Sequence, residues 1–189
     1  ISMGVNTVSS GQGSLALGYV TTAGLSGAAA IGLYCNATGT SSIAIGTTCN
    51  STANSSVSMG NSCDATAPYA SAIGCINEAS GNFSTAIGYN ANTNGFSGSF
   101  VIGASDASTW GTPVIATAPN QFTVRAIGGH QFFTDIDMNI ENGMFISPTT
   151  GNVGIGTNTP TSKLHINDVM RLEPRITEPD NPQEGDMYY

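Results

Sequence analysis

The chain has 189 residues, room for one ordinary domain or two small ones, yet only 8% are charged, against roughly 25% in a typical domain. With 24 Gly and few aromatics, a core of bulky side chains is excluded; small residues, close backbone approach and hydrogen bonds have to hold the fold. The net charge is −8, and residues 1–105 carry only Asp64 and Glu78 with no Lys or Arg, which argues against nucleic-acid binding by phosphate neutralisation and against electrostatic adhesion to anionic membrane.

Residues 1–103 repeat. The segments ISMG, LALG, AAIG, IAIG, VSMG, SAIG, TAIG and FVIG end on Gly4, Gly18, Gly32, Gly46, Gly60, Gly74, Gly88 and Gly103. Six intervals are 14 residues and the last is 15. The residue before each glycine is large and apolar: Met3, Leu17, Ile31, Ile45, Met59, Ile73, Ile87 and Ile102. The one before that is small in seven of the eight coils: Ser2, Ala16, Ala30, Ala44, Ser58, Ala72 and Ala86, with Val101 in the last. This is a period of two, so each segment is a short strand with one buried face. The large row is the expected buried one, with Ile31, Ile45, Ile73 and Ile87 superposed and Thr47 facing out. The glycine is expected to make the sharp turn into a second short strand. On that strand two further rows are small, among them Cys35, Cys49 and Cys63 in one row and Ala23, Ala37, Ala65 and Ala79 in the other. A helix is excluded by the Ser, Thr, Asn and Gly content, and a hexapeptide solenoid by the absent six-residue period. The fold class is therefore all-β: a parallel β-roll solenoid of about eight 14-residue coils. At ~4.8 Å per coil its rod is roughly 35–40 Å long. A rod so thin buries little apolar surface alone, and its stacked apolar rows would form a long exposed stripe that association covers.

Segments such as SSIAIGTTCNSTANSSVSMG (41–60) and ASGNFSTAIGYNANTNG (79–95) resemble the head repeats of trimeric autotransporter adhesins, the YadA-like head. The resemblance covers about residues 1–103. It implies a left-handed roll, a homotrimer and a role in cell adhesion.

Further along, ASDASTWGTPVIATAP (104–119) breaks the repeat and reads as a loop insertion carrying Trp110. Residues 120–166 alternate in FTVRAI and DIDMNIENGMFI and read as a β-rich neck. Here NQFTVRAIGGHQFFT (120–134) resembles the segment after such heads in phage tail-fibre and algal-virus proteins. GNVGIGTNTPTSKLHI (151–166) resembles a sequence common in tail fibres and in proteins with an endosialidase-type chaperone. Residues 167–189, with Pro174, Pro179 and Pro182, read as an extended C-terminal segment. No apolar run reaches the ~18 residues of a membrane span, so no direct membrane insertion is expected. Ile1 to Gly4 already belong to the repeat, so the chain reads as a fragment or processed product.

Candidate sites are few. Cys35, Cys49 and Cys63 stack in one row and read as small free core residues, with Cys75 off that row; no C-x-x-C metal spacing occurs. Asp135, Asp137, Asn139 and Glu141 alternate with apolar residues and read as a solvated strand face, since Gly143 is misplaced for a calcium loop. His130 and His165 have no catalytic partner at meaningful spacing, no G-x-S-x-G elbow occurs, and Gly128-Gly129 is no phosphate loop. Asn36, Asn50, Asn54 and Asn82 stand in N-x-S/T glycosylation sequons. Trp110 is the candidate ligand contact, as a ring that stacks on a sugar. No enzyme, cofactor or metal is expected. The reading is a trimeric extracellular, cell-surface or virion fibre module that attaches to a surface or glycan, or else a structural spacer without a ligand of its own.

Overall fold

A computed structural model describes residues 1–104, 111–133 and 143–170. The chain divides into two units, Ile1–Ile127 and one beginning at Gly128.

In the first unit each coil contributes one strand to each of two parallel sheets. The longer strands are β1 (Ser2–Val5), β3 (Leu15–Tyr19), β5 (Ala29–Leu33), β7 (Ile43–Thr47), β9 (Val57–Asn61), β11 (Ser71–Cys75), β13 (Thr85–Tyr89), β15 (Phe100–Gly103) and β17 (Phe122–Arg125). They form one nine-stranded sheet in that order. The short strands are β2 (Val8–Ser9), β4 (Thr22–Ala23), β6 (Asn36–Ala37), β8 (Asn50–Ser51), β10 (Asp64–Ala65), β12 (Glu78–Ala79), β14 (Ala91–Asn92) and β16 (Val114–Ile115), and they form the second, eight-stranded sheet. Every like residue stands over its counterpart one coil away: Ala30 over Ala44, Ile31 over Ile45, Gly32 over Gly46. The all-β parallel solenoid and its 14-residue phase are as the sequence predicts.

The inside is not. The core consists of the small rows: Ala16, Ala30, Ala44, Ala72, Ala86 and Val101 from the large sheet, Ala23, Ala37, Ala65 and Ala79 from the small one, with Cys35, Cys49 and Cys63 between them. All are fully buried. Ile31, Ile45, Ile73 and Ile87 are superposed as expected, but they lie on the outer face. Ile31, Ile45 and Ile87 are half-buried in the single chain and Ile73 is 38% exposed. A coil of 14 residues brings its two sheets so close that the interior admits Ala, Ser, Cys and Thr, so the large row has to point out. Thr47 lies on the same outer face as Ile45, as alternate residues of one strand must.

The glycine row also has a different task from the expected one. It sits within the strand, with φ between 102° and 130° for Gly4 through Gly88. At Gly46 an added Cβ would stand 2.0 Å from the carbonyl oxygen of Gly60 in the next coil. The turn itself falls two residues later, where Asn6, Val20, Tyr34, Thr48, Ser62, Ile76 and Asn90 hold φ between 51° and 56°. That conformation is unfavourable for β-branched Val20, Thr48 and Ile76. It is held by stacking: the Thr48 N–H, for example, donates to the Leu33 carbonyl of the preceding coil at 2.7 Å.

Both sheets continue past Gly103. The next glycine-row position is Arg125, 22 residues on, which is one 14-residue coil plus an excursion of eight. Within the predicted 104–119 loop, Val114–Ile115 resumes the small sheet beside Ala91–Asn92, and FTVR of the predicted neck is the ninth strand of the large sheet. The excursion shifts the pattern out of phase, which hides this coil from a search for 14-residue spacing. Arg125 carries a Cβ where the other coils have glycine, and among the described residues no further strand stacks on β17. Its guanidinium instead donates to the Thr112 carbonyl at 2.9 Å.

The second unit holds a four-stranded sheet of β18 (His130–Phe133), β19 (Gly143–Ile146), β20 (Val153–Ile155) and β21 (Leu164–Ile166). The pairs β18–β19 and β19–β20 are antiparallel, and β20–β21 is parallel. Phe145 is its buried aromatic. Among the described residues no helix is long and apolar enough to cross a membrane.

Candidate binding surface

The roll presents two outer faces of opposite character. The face of the large sheet is apolar along its length. Its central row is Met3, Leu17, Ile31, Ile45, Met59, Ile73, Ile87 and Ile102, and Val124 extends it to the ninth strand. Met3, Met59 and Ile73 are exposed and the others half-buried. Large apolar residues flank this row, including Ile43, Val57 and Leu33. Phe100 stacks on Phe122 at 5.5 Å. An apolar stripe of this length on an isolated chain marks an interaction surface.

The face of the small sheet is polar and largely self-satisfied. The Asn36 side-chain amide donates to Asn50 Oδ1 at 2.9 Å, and Asn50 donates to Asp64 Oδ1 at 2.7 Å. From the other direction Asn92 donates to Glu78 Oε2 at 2.9 Å. Asp64 and Glu78 are direct partners on β10 and β12, so two amide ladders converge on the two carboxylates of this region. A carboxylate suits that place because it only accepts. Among the described residues no group of three or more His, Cys, Asp and Glu is arranged to hold a metal ion.

Two of the four sequon asparagines, Asn36 and Asn50, are therefore committed to the ladder and half-buried. Asn54 and Asn82 are exposed at the coil corners. Trp110, Asp135, Asp137, Asn139 and Glu141 lie outside the described residues. His130 stacks beside Phe132 with ring centroids 6.5 Å apart, and His165 Nδ1 accepts the Thr161 N–H at 3.3 Å. Among the described residues neither histidine is brought to a nucleophile.

Cys35, Cys49 and Cys63 are free and buried, one above another. Part of this row has a task that spacing alone does not reveal. The Cys35 thiol donates to the Gly46 carbonyl at 3.2 Å and Cys49 to the Gly60 carbonyl at 3.3 Å. Where Asn77 takes over the row, its amide donates to the Gly88 carbonyl at 2.8 Å. At Cys35, Cys49 and Asn77 the row thus supplies a donor to a glycine carbonyl of the next coil, whereas the buried Thr21 hydroxyl in the same row has no hydrogen-bond partner. Burial pushes the Cys35 thiol up. The Cys49–Cys63 contact acts oppositely on its two ends: it raises Cys49, with burial adding, and lowers Cys63. Native protein at neutral pH is therefore expected to leave Cys35 and Cys49 unlabelled by a maleimide over hours, with full labelling after denaturation. Mass spectrometry of the labelled peptides checks this. Rapid native labelling of both would place the row outside.

One family matches. The model of the YadA head domain repeat, in two copies, fits residues 1–21, 9–34, 37–62, 65–91 and 79–95. A search of curated proteins finds no match. The matched segments run through the same stacked coils that carry the glycine row, the small core and the apolar outer stripe. Through residues 1–95 the chain belongs to the family of YadA-like adhesin heads, adhesin-type surface-fibre modules built on this repeat.

Proposed function

We propose that the chain is the body of a homotrimeric fibre, extracellular or on a virion, which attaches to a surface or receptor through weak, repeated polar contacts. The observation that carries this is the apolar stripe on the outer face of the large sheet, unbroken over nine strands. Each large side chain taken from water contributes about 1.5–3 kcal/mol when fully covered. Three chains that turn these stripes toward a common axis cover all of them with one contact type. The polar faces and corners then point outward. With two acids and no base in residues 1–104, such a surface contacts neutral glycans or other polar polymers, and repetition along the rod supplies avidity.

A second reading, a spacer with no ligand of its own, has one observation in its favour. The amides of Asn36, Asn50 and Asn92 already spend hydrogen bonds on each other and on the two acids, which leaves fewer for a ligand.

Sedimentation of the chain at micromolar concentration is expected to give three times 19.2 kDa. The trimer is expected to bind its target surface equally at low and high salt, and a Trp110→Ala trimer more weakly. A stable folded monomer overturns the trimer. Binding lost at moderate salt overturns the neutral-polar mechanism. A trimer that binds no glycan or cell surface at all favours the spacer.

A further inference from the structure

Tyr69 and Phe83 are large aromatics on the outside of the roll, 55% and 66% exposed. Their rings are parallel with centroids 4.9 Å apart, one above the other on successive coils. Both hold a positive φ at the corner that leads into the large sheet, two residues before Ser71 and Thr85.

The neighbouring coils show what these rings replace. In the two preceding coils the first outward residue of the strand is large, Ile43 or Val57, and the residue two before it is small, Ser41 or Ser55. In the next two coils the first outward residue is small, Ser71 or Thr85, and the residue two before it is Tyr69 or Phe83. Bulk lost at the strand is restored at the corner, within the same coil, twice in succession. A face that meets only water has no need of this exchange. A face packed against one continuous surface does, because an unfilled gap forfeits contacts along its whole lining.

We infer that Tyr69 and Phe83 belong to the seam between subunits, where a second copy of this chain covers them. This rests on the homotrimer reading and extends its interface from the sheet face around the corner. Two features select a second copy over a sugar. The corner is continuous with the apolar stripe, and the only charges in residues 1–104, Asp64 and Glu78, lie on the small sheet, so identical chains meet here without like-charge repulsion. The aromatic pair occurs on two coils only, so it sets the axial register of chains whose repeating stripe would fit equally well after a slip of one coil.

Photo-crosslinking of the whole chain tests this. Phe83→p-benzoylphenylalanine, Ile73→p-benzoylphenylalanine and Glu78→p-benzoylphenylalanine are irradiated separately at micromolar concentration and resolved on a denaturing gel. Positions 83 and 73 are expected to give crosslinked dimers and trimers, and position 78 only monomer. Crosslinks from 73 without any from 83 overturn this inference and leave the trimer standing. Crosslinks from neither overturn both. In a label-free check, the double variant Tyr69→Ser, Phe83→Ser is expected to raise the half-dissociation concentration of the trimer at least tenfold. An unchanged concentration, with glycan binding lost instead, assigns the rings to a ligand and overturns the seam.

Discussion

Ala44→Asp is expected to abolish the folded roll, whereas Ile45→Asp, one residue on, is expected to leave the coils folded and weaken their assembly. Ala44 is fully buried between Ala30 and Ser58 of the adjoining coils. A carboxylate there has neither space nor a partner, and an unpaired buried charge costs several kcal/mol, a large part of the stability of a small domain. Ile45 is on the outer face, where Thr47 and Asn61 show that the same surface accepts polar side chains. A charge at Ile45 remains solvated in the single chain and is penalised only where chains meet. Circular dichroism and sedimentation velocity separate the two results. Ala44→Asp should lack a cooperative β-sheet melt at every concentration, and Ile45→Asp should keep the β signal while sedimenting as a smaller species. Equal loss of the β signal in both variants would refute the assignment of the small row to the inside.

Gly46→Ala is expected to cost about 3 kcal/mol or more, although it adds a single methyl group. Two effects combine at this position. The backbone holds φ at 127°, outside the range that L-residues adopt readily, and the new Cβ would stand 2.0 Å from the Gly60 carbonyl oxygen. That oxygen cannot move away alone, because it also accepts the Cys49 thiol at 3.3 Å within the stacked ladder. Gly13→Ala is the matched control. Its φ of 68° is also positive, but nothing lies within 4 Å of the added Cβ. It should lose only the conformational term, about 1–2 kcal/mol. Urea denaturation of the two variants beside the parent measures the difference. Equal losses would show that backbone strain alone explains the glycine row and that the close carbonyl approach adds nothing.

Much of this molecule is legible in its sequence because each coil repeats the same physical problem. Seven glycines at 14-residue spacing, Gly4 through Gly88, share one backbone conformation at one place in each coil, and the alternating triplet before each of them requires a strand. Their 14-residue spacing leaves few shapes other than stacked parallel coils. The row of Cys35, Cys49 and Cys63 is inward and unpaired, as their small size and missing metal spacing suggest. The ninth coil is not legible in this way. Its eight-residue excursion breaks the spacing, and its glycine is replaced by Arg125, on the last strand of that sheet among the described residues.

Period and composition determine that the strands alternate and that like residues stack, but alternation is symmetric: it states that two rows face opposite ways, not which of them faces in. The usual rule puts the larger apolar row inside, and here it would have buried Ile45 and exposed Ala44. Tertiary closure decides otherwise. Two sheets joined by corners of a few residues lie too near each other for Ile or Leu, so the interior selects Ala, Ser and Cys, and the large row is left on the surface. The same closure converts glycine from a turn residue into a contact residue, since it is stacking of coil upon coil that brings the Gly60 carbonyl to where a Cβ of residue 46 would be.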